Sequence, residues 1–327
     1  MYPIELIQSV RLITDVCLEV GPGENVLCIV DREENMEVGT LIAAECMARG
    51  AEAAVVLIEP RKQSYHEPPR SIARAMKEAV VVITMALGNL MHTKARKEAC
   101  AAGVKYATIT VANKEHLSRL NLTKEDLLEV RALTEKIVER LTLASSAHLT
   151  TRAGTDLRMS LEGRSGVGLV PFGKKGSFCS LPAYAEGACA PIEDSVEGLV
   201  VVDGSMAGEP KILGLVEEPF EIRFEKGRVV RISEGKDARK LKDLLETSGG
   251  EVRTFAELGI NSNHKVSKKL TGTKFDNAIA GHVHFGLGRN DHIGGNSRGN
   301  IHLDLLVTWA TLLLDGNIIL EDGNLKI

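Results

Sequence analysis

The chain has 327 residues, 44% of them hydrophobic and 26% charged, with a formal net charge of −4; that length suits about two ordinary domains, each able to bury a core. A slightly acidic chain without a basic stripe predicts no nucleic-acid partner. No apolar run approaches the ~18 residues of a bilayer span, and the first residues lack a basic segment and a cleavage site, so a cytoplasmic protein with no membrane partner is expected.

Over residues 4–20, Ile4, Ile7, Val10, Ile13 and Val16 recur at helical spacing, and Gly21-Pro22-Gly23 stops that helix. Val26 to Val30 is a short continuous apolar run, as a strand buried on both faces requires. A helix over 36–49, a strand over 53–58, a helix over 72–79, a strand over 80–84, a helix over 93–101 and a strand over 106–110 follow. That alternation predicts a doubly wound parallel sheet. Gly21-Pro22-Gly23 precedes its strand, whereas a dinucleotide fingerprint follows one and opens a helix, so nicotinamide and flavin binding are not expected.

Thr123 is a candidate N-cap for a long helix to about residue 141. Beyond residue 144 the pattern turns to strands. Residues 148–152 and 156–161 flank Ala153-Gly154-Thr155, and 221–224 and 229–232 flank Glu225-Lys226-Gly227, both hairpin patterns. A strand over 199–203 and a helix over 236–246 complete the series. The expected fold is α/β: an N-terminal doubly wound parallel-sheet domain over 1–142 and a C-terminal β-rich, barrel-like α+β metal-binding domain over 143–327. The apolar run 305–314 reads as a buried strand or helix. The six cysteines form no C-x-x-C pair and read as small buried hydrophobes.

Five of the nine histidines, His264, His282, His284, His292 and His302, fall in one glycine-rich stretch. In His302-Leu303-Asp304 and His282-Val283-His284 the polar residues are two apart, so on strands each pair faces one side. Imidazole with carboxylate suits zinc, manganese, cobalt or iron. A lone pair of this kind is commonly surface or satisfied polar; two within 23 positions, among glycines, point to a metal site. Upstream, Glu186 and Glu257 each read alone as solvated glutamates.

At these residues the sequence resembles the aminopeptidase T/aminopeptidase S family of metallo-aminopeptidases. The resemblance rests on Gly154-Thr155-Asp156-Leu157, Leu181-Pro182 through Glu186 to Pro191, Asp194-Ser195-Val196-Glu197-Gly198, Glu257-Leu258-Gly259-Ile260, Gly281 through Gly288, and His302-Leu303-Asp304. It implies two neighbouring divalent ions (zinc, manganese or cobalt) held by Glu186, Glu257, His284, His302 and Asp304. A glutamate would move the proton to the leaving amine of a short peptide. The family's tyrosine ligand falls at Asp291, and no tyrosine follows Tyr184, which leaves Asp291 or His292 to serve there. The sequence also resembles a shorter branch, the 2,5-dihydroxypyridine 5,6-dioxygenases. That resemblance implies one iron(II) on His264, His302 and Asp304, with His92 as a base and a small aromatic substrate. The expected activity is aminopeptidase-like hydrolysis, with ring cleavage as the alternative, and the resemblance implies a homodimer.

Overall fold

The structure, a computed structural model, describes residues 4–61, 66–86, 90–109, 113–209 and 212–327. The chain divides into two compact units, one of residues 1–129 with 170–184, the other of 130–169 with 185–327.

The first unit holds a five-stranded parallel sheet, ordered Glu52–Leu57, Asn25–Val30, Val81–Met85, Lys105–Ile109, Phe178–Leu181. Its central strands are the apolar runs, and Ile29, Val82 and Tyr106 are fully buried in its core. Helices Glu33–Ala48, Arg70–Glu78 and Lys94–Ala101 connect successive strands, as parallel pairing requires. The expected helix over 4–20 is α-helical only at Ile4–Arg11 and widens to π-helical turns over Leu12–Cys17, where Leu18 N–H bonds the Ile13 carbonyl five residues back. Thr110, the expected end of the fourth strand, lies outside the described residues. The fifth strand was not foreseen: four residues before Pro182 are too few for a periodicity, and parallel pairing to Tyr106–Ile109 makes them a strand.

Helix Lys124–Leu143 opens as expected at Thr123, whose Oγ1 accepts the Asp126 N–H at 3.1 Å while Asp126 Oδ2 accepts the Thr123 N–H at 2.9 Å. The second unit then forms two antiparallel sheets. The eight-stranded sheet is ordered Arg228–Ile232, Phe220–Glu225, Glu197–Val202, Asp156–Ser160, Ser146–Thr151, Ala310–Leu314, Asn317–Glu321, Asn324–Leu325. The seven-stranded sheet is ordered Ile212–Leu215, Ser205–Glu209, His302–Val307, Val283–Gly288, Phe255–Asn261, Glu186–Cys189, Val167–Leu169. Both hairpins read from the sequence lie in the first of these. The apolar run 305–314 becomes parts of two strands, one in each sheet.

The apolar faces of the two sheets share one core. At its centre Phe255 and Phe285 stack with centroids 5.5 Å apart, and Phe224 meets both edge-on at 5.3 and 5.9 Å. Phe285→Ala is therefore expected to cost about 3–5 kcal/mol, read from denaturant unfolding; a loss under ~1 kcal/mol would mean that the three rings do not form a continuous core. All six cysteines are buried and unpaired. Among the described residues no helix is long and apolar enough to cross a membrane.

Candidate metal centre

Four neighbouring strands of the seven-stranded sheet carry the chemistry. Glu186 opens one, Glu257 and Asn261 lie on the next, His284 on the third, and His302 and Asp304 on the fourth. Register places Asn261 opposite Glu186, Gly259 opposite His284, and Gly286 between Glu257 and Asp304. Alternation then gives one face to these residues and the other to Leu258, Ile260, Phe285 and Leu303 in the core.

Glu257 reaches that face through a β-bulge. Phe255 pairs with Leu287 and Glu257 with Gly286, leaving Ala256 as an extra residue. Strict alternation would turn Glu257 inward beside Phe255; the extra residue moves it to the opposite face.

The side chains converge on Glu257. Its Oε1 lies 3.6 Å from His284 Nε2 and its Oε2 lies 3.1 Å from His302 Nε2. His284 Nε2 is also 3.5 Å from Glu186 Oε2, and His302 Nε2 is 3.2 Å from Asp304 Oδ1. Two groups of ligand atoms result, each within 4.8 Å of one another: Glu186, Glu257 and His284; and Glu257, His292 and His302. Glu257 belongs to both.

Hydrogen bonds behind the imidazoles fix their tautomers. Asn261 donates its Nδ2 to the Asp276 carbonyl at 3.0 Å, which leaves its Oδ1 to accept from His284 Nδ1 at 2.7 Å. His302 Nδ1 donates to the Arg289 carbonyl, also at 2.7 Å. Each ring thus carries a proton on Nδ1 and turns Nε2 toward carboxylate oxygens. Asn277 donates to Asp304 Oδ2 at 2.8 Å, while buried Asp304 Oδ1 accepts no hydrogen bond. Lone pairs facing lone pairs in a buried site need protons or a cation between them, and imidazole plus carboxylate donors fit a divalent ion. Removing the support in Asn261→Ala is expected to weaken ion binding about 10–100-fold with the fold kept. Equilibrium dialysis with zinc checks this, and unchanged affinity would refute the role.

Close approach of backbone lets the rings lie across the sheet. A Cβ on Gly259 would sit 2.1 Å from His284 Nε2, and one on Gly286 would sit 3.0 Å from His302 Cε1.

For His284, His302 and Glu257, burial opposes charge and their mutual attraction outweighs it. For His284, burial pulls the pKa down, but the Glu257 carboxylate beside its Nε2 and the charges of Glu186 and Asp304 push it up to about 9. His302 is likewise raised, against burial, by Asp304 and Glu257. Glu257 is held below the carboxylate range, again against burial, by the two imidazoles. In ion-free protein the imidazoles contribute stability that is complete below their ordinary value of 6.5 and lost as pH rises through about 9 for His284. The Glu257 contribution is present above 4.5 and lost as pH falls through its depressed value. Chelated protein is therefore expected to be most stable between those ordinary values and to weaken by pH 9–10. An ion displaces the Nε2 protons, so zinc binding should release protons near neutral pH. Melting curves across pH and a pH-stat titration test both; no proton release would refute the linkage.

Other expected residues lie elsewhere. His264 is exposed in the turn after Asn263 and joins neither group. His282 precedes its strand rather than lying in it, and burial, acting against the charges of Asp276 and Asp203, holds its pKa down; the expected convergence of His282 with His284 does not occur. Asp291 is gripped by Arg289, with Arg289 Nη2 to Asp291 Oδ2 at 3.0 Å. His92 belongs to the first unit, in the turn before helix Lys94–Ala101. The supporting Asn261 and Asn277 were not anticipated; Asn261 closing an apolar strand was the available signal, and Asn277, in the 3-10 turn Lys274–Ala278, had none.

Comparison with known proteins follows the same lines. A family model described as NicX, 2,5-dihydroxypyridine 5,6-dioxygenase, matches residues 5–327. The chain is similar to a 2,5-dihydroxypyridine dioxygenase structure from Pseudomonas putida KT2440, with TM-score 0.83 and 19% identity, covering 98% of this chain and 96% of the other. It is also similar to wild-type AmpT, an aminopeptidase T, from Thermus thermophilus, with TM-score 0.73 and 19% identity over 99% of both chains. At that identity the likenesses establish the fold. No curated protein sequence matches.

Proposed function

The chain belongs to the NicX, 2,5-dihydroxypyridine 5,6-dioxygenase, family, and we propose that within this fold it is a metal-dependent hydrolase that releases N-terminal residues from short peptides. The observation that carries the reading is the double engagement of Glu257: one oxygen faces His284 beside Glu186, the other faces His302 beside Asp304. A carboxylate shared between two donor groups suits a pair of neighbouring divalent ions.

Glu186, Glu257 and His284 would hold one ion, and Glu257, His302 and Asp304 the other. Such ions supply an acidified water and polarise a carbonyl. The remaining work belongs to the side chains. Glu257, with 4% of its side chain exposed and an imidazole at each oxygen, stays charged and fixes the spacing of the two groups. Glu186 has 12% of its side chain exposed, so it is the glutamate placed to take a proton and return it to the leaving amine. Asn261 and Asn277 hold His284 and Asp304 in orientation.

The family description favours a second reading, ring cleavage of a dihydroxypyridine-like aromatic, which on this chain would take iron(II) on His302 and Asp304. The exposed position of His264, its expected third ligand, weighs against it. Metal analysis of protein purified without chelator, paired with two assays, decides. Two equivalents of zinc, manganese or cobalt with amino-acid release from a dipeptide uphold hydrolysis. One iron with oxygen consumption on 2,5-dihydroxypyridine overturns it.

A further inference from the structure

We infer that His292 is a direct ligand of the cation at the Glu257–His302 end of the site, and that this end prefers ions with an affinity for imidazole nitrogen. The inference rests on the two-ion reading above and adds to it a residue from outside the sheet. The ligand atoms of His292, His302 and Glu257 lie within 4.8 Å of one another. Donors sharing one ion at about 2.0–2.2 Å are at most ~4.4 Å apart, so a closure of a few tenths of an ångström seats an ion. The rings of His292 and His302 meet edge to face with centroids 4.9 Å apart, which allows two nitrogens to converge without stacking.

His292 is delivered by a loop with its own anchor. Asn290 is fully buried. It accepts the Ser297 N–H on Oδ1 at 2.7 Å, and its carbonyl accepts the N–H groups of Ile293 and Gly295 at 3.1 and 3.0 Å. Its Nδ2 donates to the Ala256 carbonyl at 3.2 Å. Ala256 is the bulge residue that aims Glu257, so one backbone irregularity positions both the carboxylate and the loop bearing the imidazole. The Arg289–Asp291 pair takes the preceding carboxylate out of contention.

The two ends then differ in chemistry. The Glu186 end offers one imidazole and two carboxylates. The other offers two imidazoles with Glu257 and Asp304. Nitrogen-rich sets suit zinc, cobalt, iron or nickel, and oxygen-rich sets suit manganese or magnesium.

Cobalt(II) titration of chelator-stripped, full-length protein, followed by dialysis and visible absorption, tests this without any assay of turnover. Wild type is expected to take two ions, with manganese displacing one more readily than the other. His292→Ala and the bulk-retaining His292→Phe are expected to lose at least tenfold affinity for one ion, with a changed cobalt band, while keeping the other. That retained ion reports an intact sheet. If wild type and both variants titrate identically, His292 is packing alone and the inference falls while the two-ion reading stands. Loss of both ions in both variants overturns the assignment to one end. A wild type that binds no cobalt overturns both.

Discussion

Glu257→Gln is expected to remove most bound metal and, on the proposed hydrolytic reading, to lower peptide hydrolysis by about 10³-fold. The substitution keeps the side chain's shape but turns one acceptor oxygen into a donor NH2 and removes the one charge that both donor groups share. Without it His284 keeps Glu186 at 3.5 Å, and His302 keeps Asp304 at 3.2 Å and its neighbour His292, so each group loses a member at once. Ion-assisted stabilisation of a hydrolytic transition state is worth several kcal/mol, and ~4 kcal/mol corresponds to about 10³ in rate. Elemental analysis and steady-state kinetics on a dipeptide check the two halves. Full metal content with a rate within tenfold of wild type would remove Glu257 from the centre of the site.

Gly259→Ala should disable the enzyme without touching any polar group. The new methyl would lie 2.1 Å from both Nε2 and Cε1 of His284, so the ring has to swing off the sheet and break its bond to Asn261. A displacement near 1 Å at a reacting centre costs on the order of 10²-fold, and the crowding itself costs about 1–3 kcal/mol of stability. Gly21→Ala, where a Cβ meets nothing within 4 Å, serves as the control and is expected to leave both unchanged. Wild-type activity in Gly259→Ala would mean that the ring position is not needed.

The fold was legible where apolar patterns are long. Val26–Val30 and the runs like it could only be strands covered on both faces, and the parallel sheet followed from their alternation with helices. The site was legible in part. His302 and Asp304 announce themselves because spacing of two on a strand forces a common face. Glu186 and Glu257 did not: an isolated glutamate has no local signature, and only resemblance to a family pointed at them. His282 shows the limit of the spacing rule, since it stands outside the strand that carries His284. His264 shows another, because a histidine near a motif can still end in an exposed turn. Support by Asn261 and Asn277 depends on partners 23 and 27 positions away, distances over which local periodicity says nothing.

The additional residue at Ala256 also gives a counting rule for comparing sequences of this kind. Inward-facing apolar residues on an unbroken strand are separated by even intervals, yet Phe255 and Leu258, both in the core, are three apart. That odd interval is the arithmetic trace of the acid between them. A relative with an even interval there would present hydrocarbon where this chain presents a carboxylate, even if every ligand were nominally retained.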